Sequence, residues 1–197
     1  MNVSRVLAIV ADGARVSEAA AGTRVAFVAD RTPFYAESGG QIGDTGTIHG
    51  NSFKAEVLDT QGLEKRAGHK VRVISGKASV GEEFVLKVDV ARRSDIMKNH
   101  TATHLLHSAL RLALGDHVKQ SGSLVAHDYL RFDFTHFSAL TAKQLEGVEF
   151  VVNEEIQKNI QLQKRVMAKE DAVREGAMAF FGEKYGDEVR VVTIGDF

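Results

Sequence analysis

The sequence predicts an α+β protein in which a small β-barrel-like subdomain precedes an α+β subdomain. Strand-like segments separated by glycines fill the first part of the chain, the apolar spacing becomes helical from Asp89, and both patterns alternate after that. The 197 residues, of which 44% are hydrophobic, suffice for a substantial core. We expect a β-rich subdomain over residues 1–90 and an α+β core over residues 91–197.

Six strands are predicted in the β-rich part, and glycines stand in the turns between them. Strands at this spacing are typical of a small antiparallel barrel or sandwich. The predicted strands are Arg5–Val10, Thr23–Asp30, Gly46–Ile48, Phe53–Asp59, His69–Ile74 and Glu83–Val88.

A long helix follows, with a readable start and end. Asp89 is suited to cap its first turn, and Gly115 ends its pattern. Its expected buried side consists of Met97, Leu105, Leu106, Ala109, Leu110 and Ala113.

The remainder alternates strands and helices. Leu130–Phe134 reads as a strand, and Thr141 with Gln144 forms a capping box. The helix that this box opens is expected to carry Leu145, Val148, Val152 and Ile156 on one face. A strand over Gln161–Met167, a short helix over Asp171–Met178 and a strand over Glu188–Ile194 complete the prediction.

Composition narrows the function classes. The net charge of −1 gives no overall attraction to nucleic acid, so RNA binding would need a local patch. The same residues are also typical of a solvated helix face. The candidates are Arg92, Arg93, Lys98, Lys119 and Arg131.

The absence of cysteine excludes disulfides and leaves any metal to His, Asp, Glu or water. No apolar run approaches the ~20 residues of a membrane span. The first residues have neither the basic start nor the apolar stretch of a secretory signal. A cytoplasmic protein without a membrane partner is expected.

The segment Arg31–Gly46, here called the glycine loop, has glycines at positions 39, 40, 43 and 46. Glycine permits positive φ and close backbone approach. We expect Phe34 and Tyr35 to be buried beside exposed Gln41 and Asp44, which favours a working loop over a mere barrel corner. The loop lacks the pattern of a nucleotide-binding loop.

The long helix carries His100 and His104, which lie one turn apart on the same face, with His107 three residues on. Two imidazoles at this spacing are able to reach one divalent metal. The alternative is a pair of histidines that faces a polar neighbour. Spacing alone leaves both interpretations open.

Four ordered segments, spread over nearly the whole chain, carry a resemblance to a known family. They are Thr32–Asp44, Asn99–His107, His117–Val125 and Gly176–Gly186. Together they closely resemble the editing region of bacterial alanyl-tRNA synthetase. Because the editing domain of threonyl-tRNA synthetase shares the His-x-x-x-His helix, the second subdomain is expected to be of the threonyl/alanyl-tRNA synthetase second-additional-domain type.

The resemblance implies hydrolysis of the ester that links serine or glycine to alanine tRNA, within a synthetase that ligates alanine to that tRNA using ATP. A pocket sized for alanine admits glycine and rejects serine only modestly, so a second site must remove the errors. His100 and His104 are implied to be two zinc ligands. Thr103 is implied to set the pocket size, and Gln120 with Ser121 to line it.

The glycine loop joins this implied site. Gly39-Gly40-Gln41 also resembles the tripeptide of class I release factors, which cleave another ester at a tRNA 3′ end, and Gln41 is counted with the catalytic candidates. The candidate contacts to the tRNA acceptor end are Gly39, Gly40, Asp44, Arg92, Arg93 and Lys119. No Ser–His–Asp or Cys–His pattern is present, so direct attack by water is expected, and zinc would either activate the water or anchor the substrate.

The sequence departs from the family in its metal ligands. Relatives take two further zinc ligands from a Cys-x-x-x-His motif that follows the segment matching Ile194–Phe197, and this motif is expected beyond residue 197 in a longer synthetase. With two of four ligands, weak zinc binding is expected. The imidazoles are then expected to contact water or an acidic group, with Asp44 and Glu37 as candidates.

Two other functions stay open from sequence alone. The chain could be a docking module for the tRNA acceptor end without catalysis, which the incomplete metal site favours. It could also be a structural spacer between other parts of a synthetase, with the histidine pair as a satisfied core feature.

Overall fold

A computed structural model describes residues 3–63, 66–177 and 186–195. The chain divides into two compact units, which are described separately below. The barrel unit comprises residues 1–97 and 126–128, and the hairpin unit comprises residues 98–125 and 129–197. Compact units defined by contacts within one chain do not test a subdomain boundary. The boundary expected near residue 90 therefore stays a prediction.

The barrel unit contains eight described strands. They are β1 Val3–Ala11, β2 Ala14–Val16, β3 Glu18–Ala20, β4 Arg24–Ala29, β5 Gly46–Gly50, β6 Phe53–Leu63, β7 Arg66–Ser79 and β8 Glu83–Val88. Six of them are joined edge to edge in the order β1-β4-β7-β6-β5-β8, and β8 pairs again with β1. All these pairs are antiparallel, so the sheet closes into a six-stranded barrel.

The short strands β2 and β3 were not predicted. Strand β2 forms a hairpin with β1, and β3 pairs with the end of β7. Three residues carry too little alternation to stand out in a sequence pattern.

The barrel core follows from the alternation of side chains along each strand. Phe27 of β4 is fully buried, and its ring meets that of Phe53 edge to face, with centroids 5.8 Å apart. Ile9, Ile48, Val57, Val71 and Val73 are also almost fully buried. Removing a buried phenylalanine side chain from such a core costs about 3–5 kcal/mol.

Helix α1, Val90–Leu114, begins and ends where the sequence predicts. The Asp89 carboxylate accepts a hydrogen bond from the Arg92 backbone N–H at 3.0 Å, which caps the first turn. Gly115 follows the last turn with a φ of +112°. Residues 90–97 of the helix belong to the barrel unit and the rest to the hairpin unit.

The buried side of α1 differs from the prediction. Ile96, Thr103 and His107 lie on one stripe and are buried, whereas Met97 and Ala113 are exposed. At about 100° per residue, the buried Leu105 and Ala109 lie roughly 140–180° from that stripe, so α1 is buried on two sides, and Met97 and Ala113 lie between those sides. Counting only apolar residues missed the two polar members of the stripe. Leu105, Ala109 and Leu110 are buried and Leu106 is partly buried, as predicted.

The hairpin unit continues with β9 Gln120–Val125, β10 Leu130–Phe134, α2 Ala142–Gln157, β11 Gln163–Ala168, α3 Lys169–Arg174 and β12 Glu188–Thr193. Strands β9 and β10 form one antiparallel pair, and β11 and β12 form another. The α+β class is therefore confirmed, while the specific editing-subdomain type stays a prediction. No helix among the described residues is long and apolar enough to cross a membrane.

The capping box of α2 is confirmed, because Thr141 and Gln144 exchange side-chain to backbone hydrogen bonds. The four apolar residues share one face of α2, as predicted, but only Val148 is buried, whereas Leu145 and Ile156 are exposed. Both lie about 60–80° to one side of Val148. The short helix α3 begins two residues before the predicted start, and its predicted end at Met178 lies outside the described residues.

Candidate functional site

The glycine loop turns at two of the four glycines for which the sequence allows positive φ. Gly39 and Gly40 have positive φ values of 57° and 82°. The backbones of Ser38 and Gln41 exchange two hydrogen bonds across this turn, of 2.9 and 3.2 Å. Gln41 is thereby held half-buried, directly after the two glycines.

The other two glycines permit close approach of the backbone. A Cβ at Gly43 would lie 2.1 Å from the backbone oxygen of Thr60, and one at Gly46 would lie 2.1 Å from that of Lys87. These distances exclude any side chain at either position without movement of the backbone. The predicted close approach is confirmed.

Asp44 is the centre of the loop's polar contacts. Its Oδ2 accepts a 2.6 Å hydrogen bond from the Tyr35 backbone N–H, and both of its carboxylate oxygens accept from the Arg93 guanidinium. The expectation of an exposed Asp44 is wrong, because its side chain is 2% exposed. The expectation of a buried Tyr35 is wrong too, whereas the burial of Phe34 is confirmed.

Arg92 and Arg93 hold the glycine loop within the barrel unit. Arg92 Nη1 donates to the Gly43 carbonyl at 2.8 Å, and Arg93 Nη2 donates to the Pro33 carbonyl at 2.8 Å as well as to Asp44. A bidentate guanidinium–carboxylate pair of this kind fixes orientation as well as charge. Their predicted contact with tRNA stays a prediction.

His69 ties the start of the glycine loop to strand β7. Its Nδ1 bonds the Phe27 carbonyl at 3.1 Å, which requires the hydrogen on Nδ1, so Nε2 accepts from the Thr32 hydroxyl at 2.8 Å. Burial is the main cause that lowers the pKa of His69 below its ordinary value. The neutral imidazole is therefore a structural member of the barrel.

His100 and His104 lie in the hairpin unit on consecutive turns of α1. Their ring centroids are 5.3 Å apart, and the ring planes differ by 28°. Burial, assisted by the nearby His100 and His107, lowers the pKa of His104 to about 4. At neutral pH His104 is thus an uncharged imidazole, the form that binds metals.

Thr103 and His107 occupy the buried stripe of the same helix. The Thr103 hydroxyl donates to the Asn99 carbonyl at 2.8 Å. His107 Nε2 lies 3.3 Å from the Val118 carbonyl, and its ring packs against Phe132 with centroids 5.1 Å apart. The helix therefore presents a threonine and three imidazoles to the hairpin unit.

Strand β9, which was not predicted, carries the polar side chains opposite. The register with β10 shifts at Ser121, since Gln120 pairs with Phe134 whereas Gly122 pairs with Asp133. This bulge places Gln120 and Ser123 on the same face of the hairpin, the one with Phe134. The sequence of β9 does not alternate apolar and polar residues, so it did not predict a strand there.

That face of the hairpin is buried. Phe132 and Phe134 pack against a cluster that includes Ala109 and Leu110 of α1. Gln120 Oε1 and Ser123 Oγ are buried, and neither atom has a hydrogen-bond partner among the described residues. Buried polar atoms are normally paired, so two unpaired ones on one face are an exception. Ser123, which the sequence pattern did not single out, lies inward because it pairs opposite Phe132, and the bulge at Ser121 turns Gln120 to the same side.

The remaining candidates are distributed differently. Ser121 and Lys119 are exposed, and the Lys119 backbone N–H donates to Thr135 Oγ1 at 3.1 Å. Arg131 pairs with Asp133 at 3.1 Å on the surface. The predicted roles of Ser121 and Lys119 stay predictions. The fourth recognition segment lies largely outside the described residues, at 178–185.

Among the described residues no group of three or more His, Asp or Glu side chains is placed to hold a metal ion. The two acidic candidates for the imidazoles have other partners. Glu37 accepts from Gln61 Nε2 at 2.8 Å, and Asp44 is bound by Arg93. The metal donors that the geometry brings together are thus the imidazoles of α1.

Comparison with known proteins adds an independent observation. An alanine–tRNA ligase of Myxococcus xanthus (strain DK1622) is 55% identical over 190 residues, which is 95% of this chain. The predicted resemblance to alanyl-tRNA synthetase is confirmed. An alanine–tRNA ligase of Chelativorans sp. (strain BNC1) is 52% identical over 193 residues, and the family model of class II tRNA synthetases (A) matches residues 1–92.

The chain spans only part of these ligases. It covers 21% of the Myxococcus ligase and 22% of the Chelativorans ligase. The family model matches a range that lies in the barrel unit, whereas the two ligases match both units. The similarity to alanyl-tRNA synthetase therefore includes the helix with the histidine pair.

Proposed function

We propose that this chain is the editing part of an alanyl-tRNA synthetase, which hydrolyses the ester of serine or glycine mischarged onto alanine tRNA. The observation that carries the proposal is the buried face of β9, where Gln120 Oε1 and Ser123 Oγ lack hydrogen-bond partners among the described residues. The longer synthetase would ligate alanine in the cytoplasm, using ATP. The tRNA acceptor end and the rest of the synthetase chain are the proposed partners.

The chemistry of discrimination supports a polar pocket. Serine differs from alanine by one hydroxyl, and a site built to hydrogen-bond that hydroxyl discriminates far better than an apolar pocket does. Gln120 offers an acceptor and Ser123 a donor and acceptor for such a group. The buried Thr103 on α1 is suited to limit the size of the side chain that enters.

His100 and His104 fit a zinc site as two of its ligands. Both are imidazoles one helical turn apart, and His104 stays neutral because the pKa of its ring is about 4. Bound zinc supplies a Lewis acid, which polarises a carbonyl or lowers the pKa of a water molecule. The other ligands are proposed to come from a Cys-x-x-x-His motif of the longer protein.

The side chains of this chain would orient the ester and a water molecule rather than attack it. The polar face of β9 would bind the aminoacyl group, and the buried surroundings of Phe132 and Phe134 would limit access of other water. Gln41, held by the Gly39-Gly40 turn of the barrel unit, stays a predicted catalytic candidate.

The test is release of serine from seryl-tRNA(Ala) by a full-length ligase in which this chain replaces the matching segment. We expect His100→Ala and His104→Ala each to reduce the hydrolysis rate about 100-fold or more, with aminoacylation retained. His127→Ala, an exposed histidine paired with Asp128, is the matched control. Full hydrolysis by both variants would overturn the proposed site.

A further inference from the structure

A cluster of three rings lies on the surface of the hairpin unit, outside the proposed editing site. His117 precedes strand β9, and His136 and Phe137 follow strand β10. The rings of His117 and Phe137 stack, with centroids 4.6 Å apart and planes 26° apart. Phe137 is 87% exposed, so the face of its ring opposite His117 is open to solvent.

The ring cluster is held in place by hydrogen bonds. His117 Nε2 and His136 Nδ1 lie 2.8 Å apart, with ring centroids 5.1 Å apart and planes 22° apart. The distance between the ring centroids equals the N–N distance plus about one ring radius on each side. The two rings therefore meet edge to edge, joined by one N–H···N hydrogen bond. Two imidazole nitrogens that bind one tetrahedral zinc at about 2.0–2.1 Å lie about 3.3 Å apart and point at the metal, whereas these two nitrogens point at each other.

The backbone around the rings is fixed as well. Thr135 Oγ1 donates to the His117 carbonyl at 3.1 Å and accepts from the Lys119 backbone N–H. The exposed phenylalanine is therefore preorganised on a rigid support, which reduces the entropy lost when a flat ligand stacks on it.

The surroundings of Phe137 are polar. Thr135 and Ser138 are exposed, the exposed Lys119 bonds through its backbone N–H to Thr135, and Asp116, which precedes His117, is paired with Arg111 at 2.7 Å. A single apolar ring surrounded by polar residues is too small for a hydrophobic protein interface. It is large enough for one flat, polar ring of a ligand to stack on it. Single-stranded nucleic acid is bound in this way, by stacking of a base on an aromatic side chain beside a cation.

We propose that the ring cluster binds an unpaired base of a single-stranded RNA, which stacks on the outer face of Phe137 while Lys119 contacts the backbone phosphate. This binding requires no ester hydrolysis and is independent of His100 and His104. It therefore goes beyond the proposed editing function and is measured separately from it.

The experiment titrates the 197-residue chain into a single-stranded RNA of about eight nucleotides that carries one 2-aminopurine. We expect quenching of the fluorescence on binding, because the base stacks on Phe137. Phe137→Ala and Phe137→Leu are expected to weaken binding about fivefold or more and to abolish the quenching. Phe137→Trp is expected to retain both, since its ring also stacks.

Phe150→Ala is the matched control, because Phe150 is 65% exposed on α2 and has no ring contact among the described residues. It is expected to bind and quench as the unchanged chain does. Lys119→Gln is expected to weaken binding and reduce its dependence on salt.

The proposal fails if the unchanged chain does not bind the RNA, or if Phe137→Ala and Phe137→Leu bind it with unchanged affinity. Equal losses in Phe137→Ala and Phe150→Ala would also overturn it. A change of oligomeric state in Phe137→Ala without RNA binding would assign the ring to a protein contact instead. Unchanged thermal unfolding of each variant confirms that the loss is local.

Discussion

Asp44 in the barrel unit and Gln120 in the hairpin unit both have buried polar side-chain atoms. Only the Asp44 carboxylate has hydrogen-bond partners in its own unit. The Asp44 carboxylate accepts hydrogen bonds from Tyr35 and Arg93. Gln120 Oε1 is buried and has no such partner among the described residues. The same difference separates His69, which bonds to Phe27 and Thr32, from Ser123.

The difference shows that buried polarity serves two purposes in this chain. A paired buried group stabilises the structure that surrounds it, whereas an unpaired one costs about 1–3 kcal/mol until a ligand satisfies it. The polar contacts of the barrel unit thus fix the glycine loop, and the unpaired atoms of β9 are the ones that we propose a ligand satisfies. Ser4 Oγ in the barrel unit is buried without a partner among the described residues, and nothing in the structure explains it.

The largest expected effect concerns metal binding by the hairpin unit. If His100 and His104 are the zinc donors that this chain supplies, two imidazoles hold zinc orders of magnitude more weakly than four ligands. We expect the chain, dialysed against a mild chelator, to retain well below one zinc per molecule by metal analysis. Stoichiometric zinc would mean that the donor set is complete within the chain, and loss of that zinc in His104→Ala would locate it.

The second-largest effect is expected at Asp44, a buried polar group that has hydrogen-bond partners. Asp44→Ala leaves the Tyr35 N–H without its acceptor and the Arg93 guanidinium with only the Pro33 carbonyl, and we expect it to lower the free energy of unfolding by about 3 kcal/mol. Asp133→Ala removes a surface partner of Arg131 and is expected to cost less than about 1 kcal/mol. Denaturant unfolding measures both, and equal losses would contradict the role given to Asp44.

A smaller effect is expected at a buried polar group that has no hydrogen-bond partner among the described residues. Ser123→Ala removes a buried hydroxyl that has no partner among the described residues, so the free energy of unfolding is expected to stay within about 1 kcal/mol or to rise. Hydrolysis of seryl-tRNA(Ala) by the longer protein is expected to fall about tenfold, the value of one lost hydrogen bond. Ser138→Ala, at an exposed serine, serves as control. A clear loss of stability with full hydrolysis would make Ser123 structural.

The mildest effect concerns pH. Burial lowers the pKa of His69 in the folded chain below the 6.5 of the free side chain, so the unfolded chain binds the proton more readily. The stabilisation is complete above about pH 6.5 and is lost as the pH falls toward the lower, folded pKa. We expect the difference in unfolding free energy between about pH 7.5 and about pH 5.5 to be smaller in His69→Gln than in the unchanged chain. The same pH difference in both proteins would contradict this assignment.

The sequence by itself determined the features that depend on near neighbours. The capping box of Thr141 and Gln144 and the ends of α1 at Asp89 and Gly115 are found where they were predicted, and Gly39 and Gly40 adopt the positive φ that glycine permits. Each depends on hydrogen bonds or backbone angles within a few residues, and local patterns record these directly. The barrel strands were predicted for the same reason, because alternation along one strand reflects its two faces.

Only the tertiary structure decided which polar side chains are buried. The pairing of Asp44 with Arg93 joins residues 49 positions apart, and no local pattern reveals it. The inward position of Ser123 depends on its pairing opposite Phe132, that of Gln120 on the bulge at Ser121, and that of Thr103 on a stripe of α1 that packs inward. A polar residue carries the same sequence signal whether it meets water or a buried partner, so its environment is set by the packing of distant segments.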